Sequence, residues 1–294
     1  MQSAAHQEKH FQQYIIDRLV EQGWKLGDSR FYDTERAVYP EDLESWIKTS
    51  GQQEKWDKLE RLNGAKTLEV LMDRLDKALE KQGTMQVLRQ GFSIAGCGLI
   101  EMTEVAPEDK RNAAVIERYQ ANILRVVPEL KYHPAREFAI DLVLFINGLP
   151  LVLMELKSPS KDEVNAENAY NQIRNYMQDI PSIFNYNAIC VISDLTTNKA
   201  GTITSGLDRF MEWKTKDGSY ENTAYAQFDT FYEGMFDRAR LLDIIKNFIC
   251  FSVEQAKAFK ILAGYHQYFA VRKAVEKAKI ATKTDGKGGV FWHT

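Results

Sequence analysis

No apolar run in the chain approaches the ~20 residues that a helix needs to cross a bilayer, which excludes a helical membrane span. The opening stretch, MQSAAHQEKHFQQY, lacks the basic start and apolar segment of a secretion signal, so a cytoplasmic protein is expected. Cysteine is scarce: Cys97, Cys190 and Cys250 lie far apart in apolar surroundings. Such a set predicts three buried thiols in a reducing compartment and excludes a disulfide framework or a zinc site. No long basic block is present and the formal net charge is −3. That argues against a small module gripping nucleic acid unaided, because counterion release needs clustered cations. It leaves room for an enzyme whose nucleic acid is delivered by other domains or subunits. Internal repeats and low-complexity tracts are also missing.

What is present is enough apolar material, 44% of 294 residues, for one large domain or one domain plus part of a second. Residues 7–22 form an amphipathic pattern, with Phe11, Ile15, Leu19 and Val20 at helical spacing and Gly23 as the stop. The stretch 26–64 is polar and carries Trp46 and Trp56, with helical patches of poor period. Leu68, Leu71, Met72, Leu75 and Leu79 mark one face of a helix over 66–82. The period then changes. FAIDLVLFI (138–146) and LVLMELK (151–157) flank Asn147-Gly148-Leu149-Pro150 and read as two strands around a tight turn. Their apolar character on both faces places this hairpin in the middle of a covered sheet. Ser160 and Glu163 match a capping box that opens a helix running to Asp179, which Pro181 ends. AICVIS (188–193) is the next buried strand, so a right-handed crossover and a parallel pair are expected. Helices are predicted over 237–251, 254–263 and 265–279. KTDGKGG follows as a polar hinge and VFWHT as the start of a further strand, with a domain boundary near residue 260.

Two carboxylates stand inside the apolar hairpin. Asp141 lies between Ile140 and Leu142, and Glu155 between Met154 and Leu156. Ionised carboxylates in buried strands are costly unless they are paired or bind a metal. Lys157 points to the same face as Glu155, since side chains alternate along a strand. Two acids and an ammonium at one end of a hairpin suit phosphodiester hydrolysis. The acids, with a backbone carbonyl such as that of Leu156 and waters, make an all-oxygen site for magnesium, with manganese as a substitute. The ammonium would orient an attacking water and stabilise charge in the transition state. One geometric condition follows. A strict two-residue Asn-Gly turn would pair Asp141 with Met154 and put the carboxylates on opposite faces, so an odd turn or a bulge is required. The competing reading is a structural Glu155–Lys157 ion pair. Gln172 and Tyr176, four apart on the following helix, share a face and could bond DNA phosphate or the lysine.

These residues resemble the PD-(D/E)xK nuclease superfamily, and more closely the motor-and-cleavage (R) subunit of type I restriction enzymes. DLVLFINGLPLVLMELKSP is similar to the nuclease signature of that subunit. NAYNQIRNYMQDIPSIFNYNAICVISD resembles its following Q-x-x-x-Y helix and strand, and GTITSGLDRFMEWK its next block. The likeness covers most of residues 8–260. It implies an α/β fold with a restriction-endonuclease-like core, a mixed central sheet flanked by helices, and N-terminal helical elements. It also implies a catalytic triad of Asp141, Glu155 and Lys157, with Gln172 and Tyr176 as an auxiliary pair. Ile140 stands where the superfamily's name has proline, which leaves the carboxylate in place. Glu8 or Asp17 on the first helix could add a metal or water contact, as in relatives; His10 and His133 read as surface or capping residues. The R subunit carries an ATP-hydrolysing, helicase-like motor and acts on DNA together with methyltransferase and specificity subunits. No G-x-x-x-x-G-K-[ST] occurs in this chain, and Gly286-Lys287-Gly288-Gly289 is a hinge, not a phosphate cradle. Tyr265 and Gln267 resemble the glutamine motif that touches adenine in such motors. The expected division is therefore an endonuclease domain over 1–260, then a linker and the start of a motor over 261–294. Two other readings remain at this point: a stand-alone repair or junction nuclease, and a nuclease fold that serves only in assembly.

Overall fold

A computed structural model of the chain describes residues 4–131, 139–157, 166–194, 196–219, 228–254 and 257–290. The first helix, α1 (Ala4–Glu21), buries Phe11, Ile15, Ile16 and Leu19, while Val20 faces outward. Gly23 ends it at φ +90°, a left-handed conformation that favours glycine. A short strand, β1 (Lys25–Leu26), follows. The polar stretch after it folds into α2 (Pro40–Thr49) and α3 (Gln53–Asn63). Their weak period is compensated by Trp46 and Trp56, both buried. Next come α4 (Thr67–Gln82), α5 (Thr84–Gln90), the small hairpin β2 (Phe92–Ile94) and β3 (Gly98–Ile100), and α6 (Ala113–Ala121).

The main sheet is built from β1, β4 (Leu124–Lys131), β5 (Ala139–Ile146), β6 (Leu149–Leu156), β7 (Ile189–Ser193) and β8 (Asn198–Gly201). These six strands lie in the order β1-β4-β5-β6-β7-β8. The β5–β6 hairpin is thus central, and all of β6 is buried. Between β6 and β7 the chain forms α7 (Ala166–Asp179) and α8 (Pro181–Phe184), and β6 pairs with β7 in parallel. The sheet is mixed, because β4–β5, β5–β6 and β7–β8 are antiparallel.

Downstream lie α9 (Phe228–Met235) and α10 (Arg238–Asn247). Here the structure corrects two expectations. The predicted helix over 237–251 stops at Asn247, and the one over 254–263 does not form. The chain instead makes an antiparallel hairpin of β9 (Ile249–Glu254) and β10 (Lys257–Leu262). The β-branched and aromatic residues Ile249, Phe251, Val253, Phe259 and Ile261 recur with period two, and that alternation prevails over a short helical pattern. Cys250 falls on an exposed position of this hairpin, whereas Cys97 and Cys190 are buried as expected. The last helix is α11 (Tyr265–Ala281). Among the described residues, no helix is long and apolar enough to cross a membrane. The Ser160–Glu163 capping box, His133 and residues 291–294 of the final apolar run lie outside the described residues.

Candidate active site

The turn of the β5–β6 hairpin is the two-residue Asn-Gly kind. Ile146 pairs with Leu149, and Asn147 and Gly148 adopt φ +50° and +90°, as a primed turn requires. Asn147 is buried, and its side chain anchors the turn. Its Oδ1 accepts from Ile123 N at 2.7 Å, and its Nδ2 donates to Met102 O at 2.8 Å and Asn122 Oδ1 at 2.9 Å. A Cβ on Gly148 would sit 2.8 Å from the Tyr39 carbonyl oxygen, so glycine lets α2 close over the turn. With this turn alone the two carboxylates would miss each other. The register, however, passes from Phe145–Pro150 to Leu144–Val152, leaving Leu151 as an extra residue. This bulge satisfies the condition: Leu142 pairs with Met154, and one step further Asp141 stands opposite Glu155.

Glu155 is almost fully buried. Its Oε1 accepts from Lys157 Nζ at 2.5 Å, while its Oε2 is buried with no hydrogen-bond partner among the described residues. Asp141 Oδ2 accepts from Leu156 N at 2.7 Å, which turns this carboxylate toward β6. Burial, then repulsion from Asp141, pushes the Glu155 carboxyl up to about 8, against the pull of Lys157 and the Tyr176 hydroxyl. Burial also raises Asp141, to about 6, with Glu8 and Glu129 adding repulsion and the Leu156 N–H and Lys157 opposing it. Burial lowers Lys157, but attraction to Glu155, Asp141 and Glu8 outweighs it and holds the ammonium above its ordinary range. Ionised together, the two carboxylates would exceed the one ammonium in charge, and a cation is a group that would offset the excess.

Tyr176, on α7, is buried. Its hydroxyl donates to Ala139 O at 3.3 Å, and burial and the negative charge of Glu155 hold it above its ordinary range, with the Gln172 side chain hydrogen-bonded to it. Gln172 and Tyr176 therefore form one edge of the Asp141–Glu155–Lys157 group. Asp194, at the end of β7, steadies α7 by accepting from Ala166 N at 3.1 Å. Glu8, on α1, faces the group closely enough to act on Asp141 and Lys157. Asp17 instead accepts from Gln13 at 2.8 Å on the exposed side of α1, and His10 is exposed. Tyr265 and Gln267 stand apart. Gln267 Oε1 accepts from Gly264 N at 2.9 Å and caps α11, and Tyr265 lies 6.4 Å from the Trp213 ring. Gln267 lines a cavity of about 620 Å³ with Lys260 and His266.

Two residues near the site escaped the sequence reading. Gln12 Nε2 donates to the Asp141 carbonyl at 2.7 Å. Glu129 stands opposite Asp141 in the register of β4. The spacing of Gln12 four residues after Glu8 was the available signal for the first; a register-level alignment of β4 was needed for the second.

Among the described residues, no cluster of three or more His, Cys, Asp or Glu is placed to hold a metal. The described residues offer two carboxylates here, one with a buried oxygen that has no partner among them. That donor set fits magnesium, which keeps several waters and takes one or two carboxylates plus substrate phosphate.

Residues 6–209 match the family described as type I restriction enzyme R protein N terminus. The chain belongs to that family. The HindI endonuclease subunit of a type I restriction enzyme from Haemophilus influenzae is 36% identical over 161 residues, which make up 52% of this chain and 15% of that protein. The MjaIXP protein of Methanocaldococcus jannaschii is 31% identical over 187 residues, 56% of this chain and 17% of its own length. A type I endonuclease subunit of Staphylococcus aureus, SauCOLORF180P, is 25% identical over 180 residues. The matched stretch is thus a small part of each relative. Kinship with endonuclease subunits supports a nuclease role in general terms and the R-subunit N-terminal portion as the part in hand.

Proposed function

We propose that the chain carries the PD-(D/E)xK nuclease centre of a type I restriction R subunit and hydrolyses DNA phosphodiester bonds with magnesium. The observation that carries this reading is the buried Oε2 of Glu155, unpartnered among the described residues, beside a second raised carboxyl, Asp141. Buried polar atoms without partners are uncommon in folded proteins, and a bound ion is one explanation for such an atom; carboxyls with strongly raised pKa values cluster at functional sites. Asp141, Glu155 and the Leu156 carbonyl would hold the ion, and manganese would substitute. Once bound, it would polarise the phosphoryl group and acidify a water. Lys157, fixed by Glu155, orients that water and faces the charge that develops on phosphate. Gln172 and Tyr176 hold the DNA backbone or steady the lysine from α7. The net charge of −3 gives this portion little phosphate affinity, so DNA is delivered by an ATP-driven motor elsewhere in the polypeptide and by methyltransferase and specificity subunits.

Asp141→Ala, Glu155→Ala or Lys157→Ala in the full-length assembly should abolish cleavage of plasmid DNA while ATP hydrolysis continues. The division of labour follows from separate sites for the two hydrolyses. Loss of ATP hydrolysis in all three variants would make the hairpin structural and contradict the proposal.

A further inference from the structure

The sheet is interrupted beside Asp141. In an antiparallel ladder the peptide groups of alternate residues face a given neighbour. Asn147 N donates to Ile123 O at 2.9 Å, which sets the phase: odd-numbered residues of β5 turn their backbone groups toward β4. Asp141 is one of them, and the register Pro128–Leu142 and Leu130–Ile140 puts Glu129 opposite it. Yet the Glu129–Asp141 rung is missing from that register. Glu129 adopts φ +46°, a left-handed conformation that non-glycine residues rarely take and that costs about 1–3 kcal/mol in general. The Asp141 carbonyl takes its hydrogen bond from α1 instead, from Gln12 Nε2 at 2.7 Å.

We propose that Gln12 is a positioning residue, its side-chain amide standing in for the missing rung of the sheet and fixing Asp141 opposite Glu155. The inference rests on the nuclease reading of that pair. Asp141 is the third residue of β5, near a strand end where backbone frays most readily. Its carboxylate is aimed by the bond it accepts from Leu156 N at 2.7 Å, so a shift of the Asp141 backbone carries the carboxylate away from β6. The same helix brings Glu8, one turn before Gln12, to bear on Asp141 and Lys157. Lys9 also reaches Glu129, at 4.0 Å. The clamp therefore couples the placement of α1 to the geometry of the two carboxylates. Groups that hold a ligand's backbone or side chain without touching the ion tune metal affinity in this way.

The test uses Gln12→Met, which keeps the length and loses the donor, and Gln12→Lys, which keeps an N–H donor. In the complete subunit assembled with its partners, Gln12→Met should raise the magnesium concentration for half-maximal cleavage about tenfold, and Gln12→Lys should restore it to within about threefold. Amide hydrogen exchange supplies a readout independent of cleavage. The Leu156 N–H should exchange faster in Gln12→Met, while the Val191 and Ile192 amides of β7 keep their protection. Unchanged Leu156 exchange, or equal impairment by both substitutions, would overturn the clamp. If Lys157→Ala cleaves as well as the unaltered protein, the nuclease reading falls, and Leu156 exchange still decides whether Gln12 positions Asp141.

Discussion

Asp42 and Glu155 are both almost fully buried carboxylates beside a basic side chain, yet the fold treats them in opposite ways. Arg125 meets Asp42 with two bonds, Nε to Oδ2 and Nη2 to Oδ1, each 2.6 Å. Its guanidinium also lies 4.4 Å from the centre of the Tyr39 ring. Both carboxylate oxygens are used, the exposed Glu41 stands 3.8 Å from the same guanidinium, and α2 is lashed to β4. Among the described residues, Glu155 shares Lys157 with Asp141 and keeps one oxygen without a partner. The first pair is closed and serves structure. The second is left open. Buried ionic groups are thus not one class, and on the proposed reading the unsatisfied one is where an outside cation would bind.

Breaking the closed pair should have the largest effect on stability. Asp42→Ala removes both close bonds from the buried Arg125 guanidinium and leaves it the exposed Glu41 carboxylate at 3.8 Å; breaking a buried pair generally costs about 3–5 kcal/mol, and denaturant unfolding should show a loss of that size. Glu155→Gln removes a charge that the metal-free fold accommodates badly, so the same measurement should find it neutral or stabilising at pH 8. Comparable losses from both substitutions would erase the distinction.

A smaller effect is expected in the pH dependence of the metal-free protein. The Glu155 carboxyl is raised from 4.5 to about 8, chiefly by burial, so the folded state holds a proton that the unfolded state releases earlier. Its contribution to stability is complete below pH 4.5 and is lost as pH rises to about 8. Unfolding midpoints across that window should fall for the unaltered protein and fall less for Glu155→Gln. Parallel pH profiles would mean that Glu155 is ionised and satisfied in the fold.

The open centre was largely legible in the sequence, and the closed one was not. Asp141, Glu155 and Lys157 stood out because charged residues interrupt apolar strands, and the alternation of side chains related them locally. The hairpin, its Asn-Gly turn and the need for a bulge could be read from period and parity. The place of the bulge, at Leu151, could not, since it depends on how the strands meet across the sheet. Asp42 and Arg125 lie 83 residues apart, and Gln12 and Asp141 129 apart; no local period announces such contacts. The segment over 254–263 misled because a short apolar stretch fits a helix or a strand until its neighbours decide. Cys250 was misjudged with it: an apolar neighbourhood in sequence became the outward side of a hairpin.

The most direct measurement is the shift of the thermal unfolding midpoint on adding magnesium or manganese at pH 8, in the unaltered protein and in Asp141→Asn and Glu155→Gln. A ligand that binds only the folded state raises its apparent stability in proportion to the logarithm of its concentration over Kd. The open pair predicts a concentration-dependent rise in the unaltered protein that both substitutions remove. An equal rise in all three proteins would place the cation elsewhere and contradict the account.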